Sequence, residues 1–482
     1  MKIEGTTAHD SQAIFVRFML IGQKRGIDLL QIFAHELCPV PASLIDDYGC
    51  LRKGSKAALV KRIGVVSDCP QMPDVVLVDA SQLLYHIVWP SVGTIADLAE
   101  GMKRKIGSYD TQAFILFDWY DDISPKDHER HRRAAKGSTS YQLSHSTPLP
   151  RREEVMNNKA NKQQLSHLLC TYNLGENITP VNKLECSHIE ADVSLARYMM
   201  IAASDGRETI RILSDDIDVF VLLVYWCWKK QLRCSFQMEK WDGSVLDINA
   251  TVQVLGQKCE GILAVHALTG CDTASYPCGK GKVSALKVRL EHDIPNLELF
   301  GEEGASYEDL FEAGTRYFLA LYGCKKFTSL VEARQSLFCR RKTPPDLKLL
   351  PPTDSNLKLH IKRAHFQTTL WKSACNESPP PLDLKDFGWD VGPSNNVMPS
   401  ISREPVAPEE LINVVRCCCC AQGRACAGKC GCSSNGLSYT QYCACEGSDQ
   451  WHNPLTTKQI KNEHETDSEE ENEPTIAEEE DM

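Results

Sequence analysis

The chain is 482 residues long, with 53 Lys or Arg against 64 Asp or Glu, a formal net charge of -11 and 42% hydrophobic residues. This composition excludes a fibrous or wholly disordered chain, and the length predicts about two to four domains with a sizeable core. No apolar run approaches the ~18 residues of a membrane span, and Met1-Lys2-Ile3-Glu4-Gly5 lacks a signal peptide's hydrophobic core, so an intracellular address with few disulfides and no membrane partner is expected.

In chain order, residues 1–68 predict a helical N-terminal extension, with Ile14, Phe15, Phe18, Met19 and Ile21 in one apolar segment and Leu29, Leu30, Ile32, Phe33 and Leu37 in another. Residues 69–343 predict the main α/β domain. Val75–Val78 is an apolar strand followed by Asp79, and Ala113–Phe117 is a second followed by Asp118. Thr209–Leu213 is a third, followed by Ser214-Asp215-Asp216-Ile217-Asp218. The run Ile217–Trp228 and the segment Gly261–Val265 also predict buried strands, the latter leading into Gly270-Cys271-Asp272. Short apolar strands alternating with helical stretches argue for a parallel sheet, whose ligands bind outside the carboxyl ends of its strands. Residues 344–415 predict a Pro-rich linker with one embedded helix, whose stripe Leu357, Ile361, Ala364, Thr368 and Trp371 suggests a docking face.

Seven carboxylates stand out: Asp79, Asp118, Glu190, Asp192, Asp216, Asp218 and Asp272. Acids converging on one sheet edge repel unless cations sit between them, and hard oxygen ligands suit Mg²⁺ or Mn²⁺. Two such ions about 4 Å apart would activate water for phosphodiester cleavage. Each acid also has a plainer reading. Asp79 and Asp118 suit helix caps, and Ser187 with Glu190 fits a capping box.

Five segments in order give the chain a resemblance to the flap endonuclease family, structure-specific nucleases with a PIN-like domain. They are Val78-Asp79-Ala80-Ser81 with Tyr85; Phe117-Asp118 followed by Lys126 and Arg130-His131-Arg132-Arg133; Ile189-Glu190-Ala191-Asp192; Ser214 to Asp218; and Gly270-Cys271-Asp272 through Gly279-Lys280-Gly281-Lys282. The resemblance covers roughly residues 74–295. It is strongest to mobile-element-like eukaryotic members, which share Gly-Cys-Asp-Thr, Gly-Lys-Gly-Lys and a Cys-rich tail. It implies a PIN-like parallel sheet flanked by helices, with a helix–hairpin–helix segment. It also implies two divalent ions held by the seven carboxylates, and Lys126 and Arg133 steadying the scissile phosphate. Tyr85 would stack on a terminal base, and Gly279, Lys280, Gly281 and Lys282 would bind a duplex backbone without reading sequence. The plain alternatives are a core aromatic for Tyr85 and a solvated loop for Lys280 and Lys282. The chain departs from the family in its first ~70 residues, which precede the first strand, in the region Gly137–Leu168, and in Asp192 where Glu is usual.

Nine of the 22 cysteines lie between Cys417 and Cys445. Residues 416–455 therefore predict a small module in which Cys418, Cys420, Cys426, Cys430, Cys432, Cys443 and Cys445 hold Zn²⁺, whose binding would supply the folding energy. Reduced surface thiols or a disulfide knot are the alternatives. The spacing resembles a single tesmin-type Cys-x-Cys (CXC) repeat, a DNA-binding module, with Tyr439 and Trp451 near positions where Cys is usual and His452 a possible replacement ligand. Residues 456–482 predict an acidic disordered tail; within it 461–482 hold 11 Asp or Glu against one Lys, so the rest of the chain is nearly neutral.

Together these readings predict a metal-dependent nuclease acting on nucleic acid, DNA ahead of RNA, with a nuclear address and protein partners unspecified. The competing expectation is a non-catalytic scaffold on the same fold that binds nucleic acid or protein.

Overall fold

The computed structural model describes residues 11–46, 48–119, 124–125, 139–182, 186, 188, 190–340, 345–393 and 396–415. The chain divides into two compact units. The smaller takes in the described residues 11–39 and 404–415, where Leu37 N–H donates to Val406 O at 2.7 Å and the Phe15 and Phe33 rings stand 6.5 Å apart.

The larger unit, Val40–Arg403, is built on a seven-stranded sheet. Its strands are β1 (Val65–Val66), β2 (Val75–Asp79), β3 (Gln112–Leu116), β4 (Ile178–Val181), β5 (Thr209–Leu213), β6 (Ser235–Glu239) and β7 (Val245–Asp247), in the order β1-β7-β6-β5-β2-β3-β4. The run from β6 to β4 is parallel, while β7 is antiparallel to both β6 and β1. The fold is thus α/β with a mostly parallel central sheet. Strand period two assigns the core: Val75, Leu77, Ile210, Ile212, Phe236 and Met238 bury one face, and Val76, Val78, Ala113, Ile115 and Leu213 the other. Helices Ala80–His86, Ile95–Gly107 and Lys159–Thr171 cover the second face. The first lies under a larger helical layer that includes Ala191–Ser204, Ile217–Lys230, Ile262–Leu268, Tyr307–Leu321 and Asp354–Lys372. Both faces are covered, which is why β2 reads as a continuous apolar run up to Asp79.

Three expectations are corrected here. The run Ile217–Trp228 is not a strand but most of a 14-residue helix, Ile217–Lys230. Asp216 caps it by accepting the Asp218 N–H at 2.9 Å, two lysines occupy its last turn, and Gln231 ends it in the left-handed region at φ 49°. Every residue from Asp218 to Cys227 is buried, so no polar face exposes the 3.6-residue period. Gly261–Val265 likewise leads into the helix Ile262–Leu268, buried along its whole length.

The third correction concerns boundaries. Residues 344–403 are not a linker, because the helix Asp354–Lys372 is core: Leu357, Ile361, Ala364, Thr368 and Trp371 are all buried. The predicted docking face is occupied by the chain's own body. His360 shares a 2.9 Å hydrogen bond with Leu268 O, and Trp226 Nε1–H donates to Trp371 O at 3.2 Å. Residues 40–68 also belong to the large unit rather than to a separate extension.

Candidate active site

The three strands that end in acids are neighbours. β5, β2 and β3 lie side by side and parallel, with Val78 opposite Leu213 and Asp79 opposite Leu116. Asp79 closes β2, Asp118 follows β3, and Asp216 and Asp218 follow β5, so all four leave the same edge. From β2 the chain moves to β3 on one side, and from β5 to β6 on the other. The β2/β5 boundary is therefore a topological switch point, where a crevice opens in sheets of this kind.

A continuous circuit of hydrogen bonds and short chain links then joins the acids. Asp79 Oδ1 accepts the Gln82 N–H at 3.0 Å, capping the helix Ala80–His86, and Asp79 Oδ2 accepts from Ser214 Oγ at 3.1 Å. Ser214 Oγ also accepts the Asp216 N–H at 3.1 Å. Ser81 Oγ donates to Asp118 Oδ2 at 2.9 Å. The other Asp118 oxygen accepts the Ala191 N–H at 2.9 Å, at the start of the helix that Glu190 leads into. Glu190 Oε2 accepts from Gln367 Nε2 at 3.2 Å, and Gln367 Oε1 accepts from the Thr273 hydroxyl, next to Asp272. Asp192 sits buried in the first turn of the same helix. So Asp79 caps a helix and also shares Ser214 with the Asp216 segment, and Asp118 caps a helix remote in sequence. Glu190 makes no side-chain cap hydrogen bond, and Ser187, its proposed capping partner, lies outside the described residues.

Sequence reasoning missed the cation. Lys56 Nζ lies 2.8 Å from Asp218 Oδ2, 3.0 Å from Asp218 Oδ1 and 2.8 Å from Asp272 Oδ1. It also missed His266, buried, whose Nε2 is 2.7 Å from the same Asp218 Oδ1. Burial alone would push Asp218 up, but Lys56 and then His266 hold it well below the carboxylate range. Burial likewise opposes the Lys56 charge, yet Asp218, Asp272 and Asp216 hold that ammonium well above its ordinary value. Burial, then Lys282, brings His266 down to about 4, so its neutral ring donates to the ionised Asp218. Two acids titrate the other way. Burial and then the Asp118 charge raise Asp79 to about 6, and burial and then Asp218 raise Asp216 to about 7.

Among the described residues, no group of three or more His, Cys, Asp or Glu is set to hold a metal ion. The two halves of the edge differ in what they fit. At Asp79 the charged neighbour is another carboxylate, Asp118, and the hydrogen-bond donors are neutral. Hard oxygen ligands of this kind suit Mg²⁺ or Mn²⁺. At Asp218 and Asp272 an ammonium already stands between the carboxylates. The expected pair of ions therefore does not fit this arrangement.

The other predicted residues divide. Tyr85 is not a core aromatic; it is 44% exposed on the helix that Asp79 caps. The segment from Ile262 to Glu291 is helix, loop, helix, and Gly279, Lys280 and Gly281 lie in its loop, with Gly279 at φ +70°. The Lys280 N–H is bonded to Pro277 O at 2.9 Å, and its Nζ lies 4.7 Å from the centre of the Tyr322 ring. Lys282 is corrected outright. It is 2% exposed, and its ammonium donates to His266 O and Gly270 O at 2.6 Å and to Thr269 Oγ1 at 3.2 Å. It ties the loop to the core and reaches no ligand. Lys126, Arg133 and the cysteines from Cys417 to Cys445 lie outside the described residues.

No protein-family model and no curated protein matches the chain. Solved structures do. The T5 D15 protein co-crystallised with metal ions is 13% identical, covering 62% of this chain and 96% of that one, with a TM-score of 0.32. A pseudo-enzyme–product complex of the bacteriophage T5 D15 flap endonuclease with DNA and metal ions is 12% identical over 65% and 98%, also at 0.32. The catalytic core of Rad2 in complex with DNA substrate is 15% identical over 65% and 96%, again at 0.32. All three TM-scores lie below 0.5, so what the site does is read from this chain's own residues.

Proposed function

We propose that this chain is a divalent-cation-dependent nuclease, structure-specific and acting on DNA ahead of RNA. The carrying observation is the single circuit that brings Asp79, Asp118, Glu190, Asp216, Asp218 and Asp272, scattered over nearly 200 residues, to one sheet edge at a switch point. Burying Asp79, Glu190 and Asp218 beside the other acids costs stability, which a purely structural role does not need.

In this reading Asp79 and Asp118, with Glu190 and Asp192 behind them, would hold Mg²⁺ or Mn²⁺. A bound ion supplies a Lewis acid and lowers the pKa of its water toward neutrality. The residues of the chain do the rest. Ser214 and Ser81 fix the orientation of the two carboxylates, and Gln82 N–H holds Asp79 in place. Exposed Tyr85, on the helix that starts at the site, offers a face on which any base can stack. Lys280, on the loop after Asp272, offers a cation to a phosphate backbone. The Cys-rich segment is proposed to hold Zn²⁺, which elemental analysis of the purified chain would detect.

The test is cleavage of branched and single-stranded DNA by the full chain with Mg²⁺, against an Asp79→Asn, Asp216→Asn control. Cleavage equal to that control overturns the proposal. A specific observation supports the competing scaffold reading: Lys56 and His266 already satisfy Asp218. That reading expects tight binding of nucleic acid in EDTA, undiminished by Asp216→Asn.

A further inference from the structure

Strand β6 runs parallel to β5, so the turn that follows it opens on the edge where the acids leave. That turn is tight. Lys240 N–H donates to Ser244 O at 2.9 Å, Asp242 Oδ1 accepts the Ser244 N–H at 2.9 Å, and Gly243 takes φ +85°. It carries Trp241, whose backbone N–H donates to Asp215 Oδ1 at 3.1 Å. The other Asp215 oxygen lies 3.5 Å from Nε2 of His86, the last residue of the helix that Asp79 caps. The His86 and Trp241 rings are stacked, with centres 4.9 Å apart and planes 14° from parallel. Asp215, between Ser214 and Asp216, thus fixes both members of an aromatic pair beside the acids. Exposed Lys105, in the last turn of the helix Ile95–Gly107, holds its ammonium 5.8 Å from the centre of the Trp241 ring.

We propose that His86, backed by Trp241, is a stacking step for an unpaired base of a single strand, with Lys105 beside it for the phosphate backbone. This rests on the nuclease reading above and names how a strand is held at that edge. Trp241 covers one face of the imidazole, and 39% of the His86 side chain is exposed, so a base can continue the stack. Any base offers a π-face, so the step is tolerant of sequence. A ring already fixed by its neighbours loses little freedom on binding. Consecutive helical residues point about 100° apart, so Tyr85 and His86 form separate steps. Charged neighbours, Asp215 and Lys105, suit a nucleotide better than an apolar peptide.

The experiment is fluorescence anisotropy of the full chain, in EDTA so that no cleavage intervenes. The labelled probes are a short oligothymidylate, the same strand with abasic sites, and a blunt duplex. His86→Ala is expected to lose roughly 5- to 100-fold in affinity for the oligothymidylate and nothing on the other two probes. His86→Phe keeps a ring and is expected to bind as wild type does. Lys105→Ala is expected to weaken both single strands alike. Wild-type affinity in His86→Ala overturns the proposal, as does a loss of equal size on the abasic strand or the duplex, or a loss that His86→Phe shares. A Lys105→Ala loss confined to the oligothymidylate overturns the backbone role of Lys105. The nuclease reading fails separately, through the Mg²⁺ cleavage assay above: a His86 effect on binding without any cleavage by wild type sinks that reading and keeps the step.

Discussion

Ser214 Oγ donates to Asp79 Oδ2 and accepts the Asp216 N–H, each at 3.1 Å, so one buried hydroxyl fixes two acids that leave neighbouring strands. Replacing it with Ala strands a carboxylate oxygen and a backbone N–H together. Ser214→Ala is expected to lose about 1–3 kcal/mol of stability. It is also expected to slow cleavage roughly 10- to 100-fold, because Asp79 loses its orientation. Chemical denaturation and single-turnover cleavage check the two effects separately.

Asp79→Asn should separate function from stability. Burial and then Asp118 raise Asp79 from 3.8 to about 6. The folded state therefore holds a proton that the unfolded chain releases between those values, and stability falls as pH rises through that window. At pH 7 the ionised group costs on the order of 2–3 kcal/mol without metal. Asn caps helices as well as Asp does. The variant is therefore expected to melt higher than wild type at pH 7 in EDTA, to show a flatter stability profile between pH 4 and 6, and to cleave at least ~100-fold more slowly.

The buried histidines carry the opposite sign. Burial lowers His360 from 6.5 to about 3 and His365 from 6.5 to about 4. The unfolded chain takes up those protons first, so stability is full above pH 6.5 and drains as pH falls toward 4. His365 Nδ1 accepts the Gly301 N–H at 2.9 Å and cannot be protonated without losing that bond. Each ring should contribute about 1.4 kcal/mol per pH unit within its window. His365→Gln is expected to remove one such increment from the slope of stability between pH 6 and 4.5, measured by urea melts.

Gly54→Ala tests how Lys56 is delivered. The new methyl has no room against Tyr276 and should cost about 1–3 kcal/mol by overpacking. Tyr276→Ala in the same chain opens that space, and the double variant is expected to be less destabilised than the two single losses added together. Strict additivity would show that the segment carrying Lys56 can shift freely.

Much of the site was legible in the chain itself, because its signals are local. An apolar run of strand length followed by Asp is readable at Val75–Asp79 and at Gln112–Asp118, since both sheet faces are covered and the acid marks where the strand leaves the core. The spacing of Asp216 and Asp218 was legible, although the apolar run after them was not: a helix buried on every side shows no polar period and imitates a strand. What no local pattern carries is pairing. Lys56 and Asp218 are 162 residues apart, His266 and Asp218 are 48 apart, and Gln367 and Glu190 are 177 apart. Lys282 stands among glycines and lysines that suggest a phosphate loop, yet three acceptors from one turn of chain draw it inward. Local pattern is enough to mark which strands end in acid and so where charge gathers. What neutralises that charge is set by the folded arrangement, because burial and distance between remote segments set electrostatic energies that spacing along a chain does not encode.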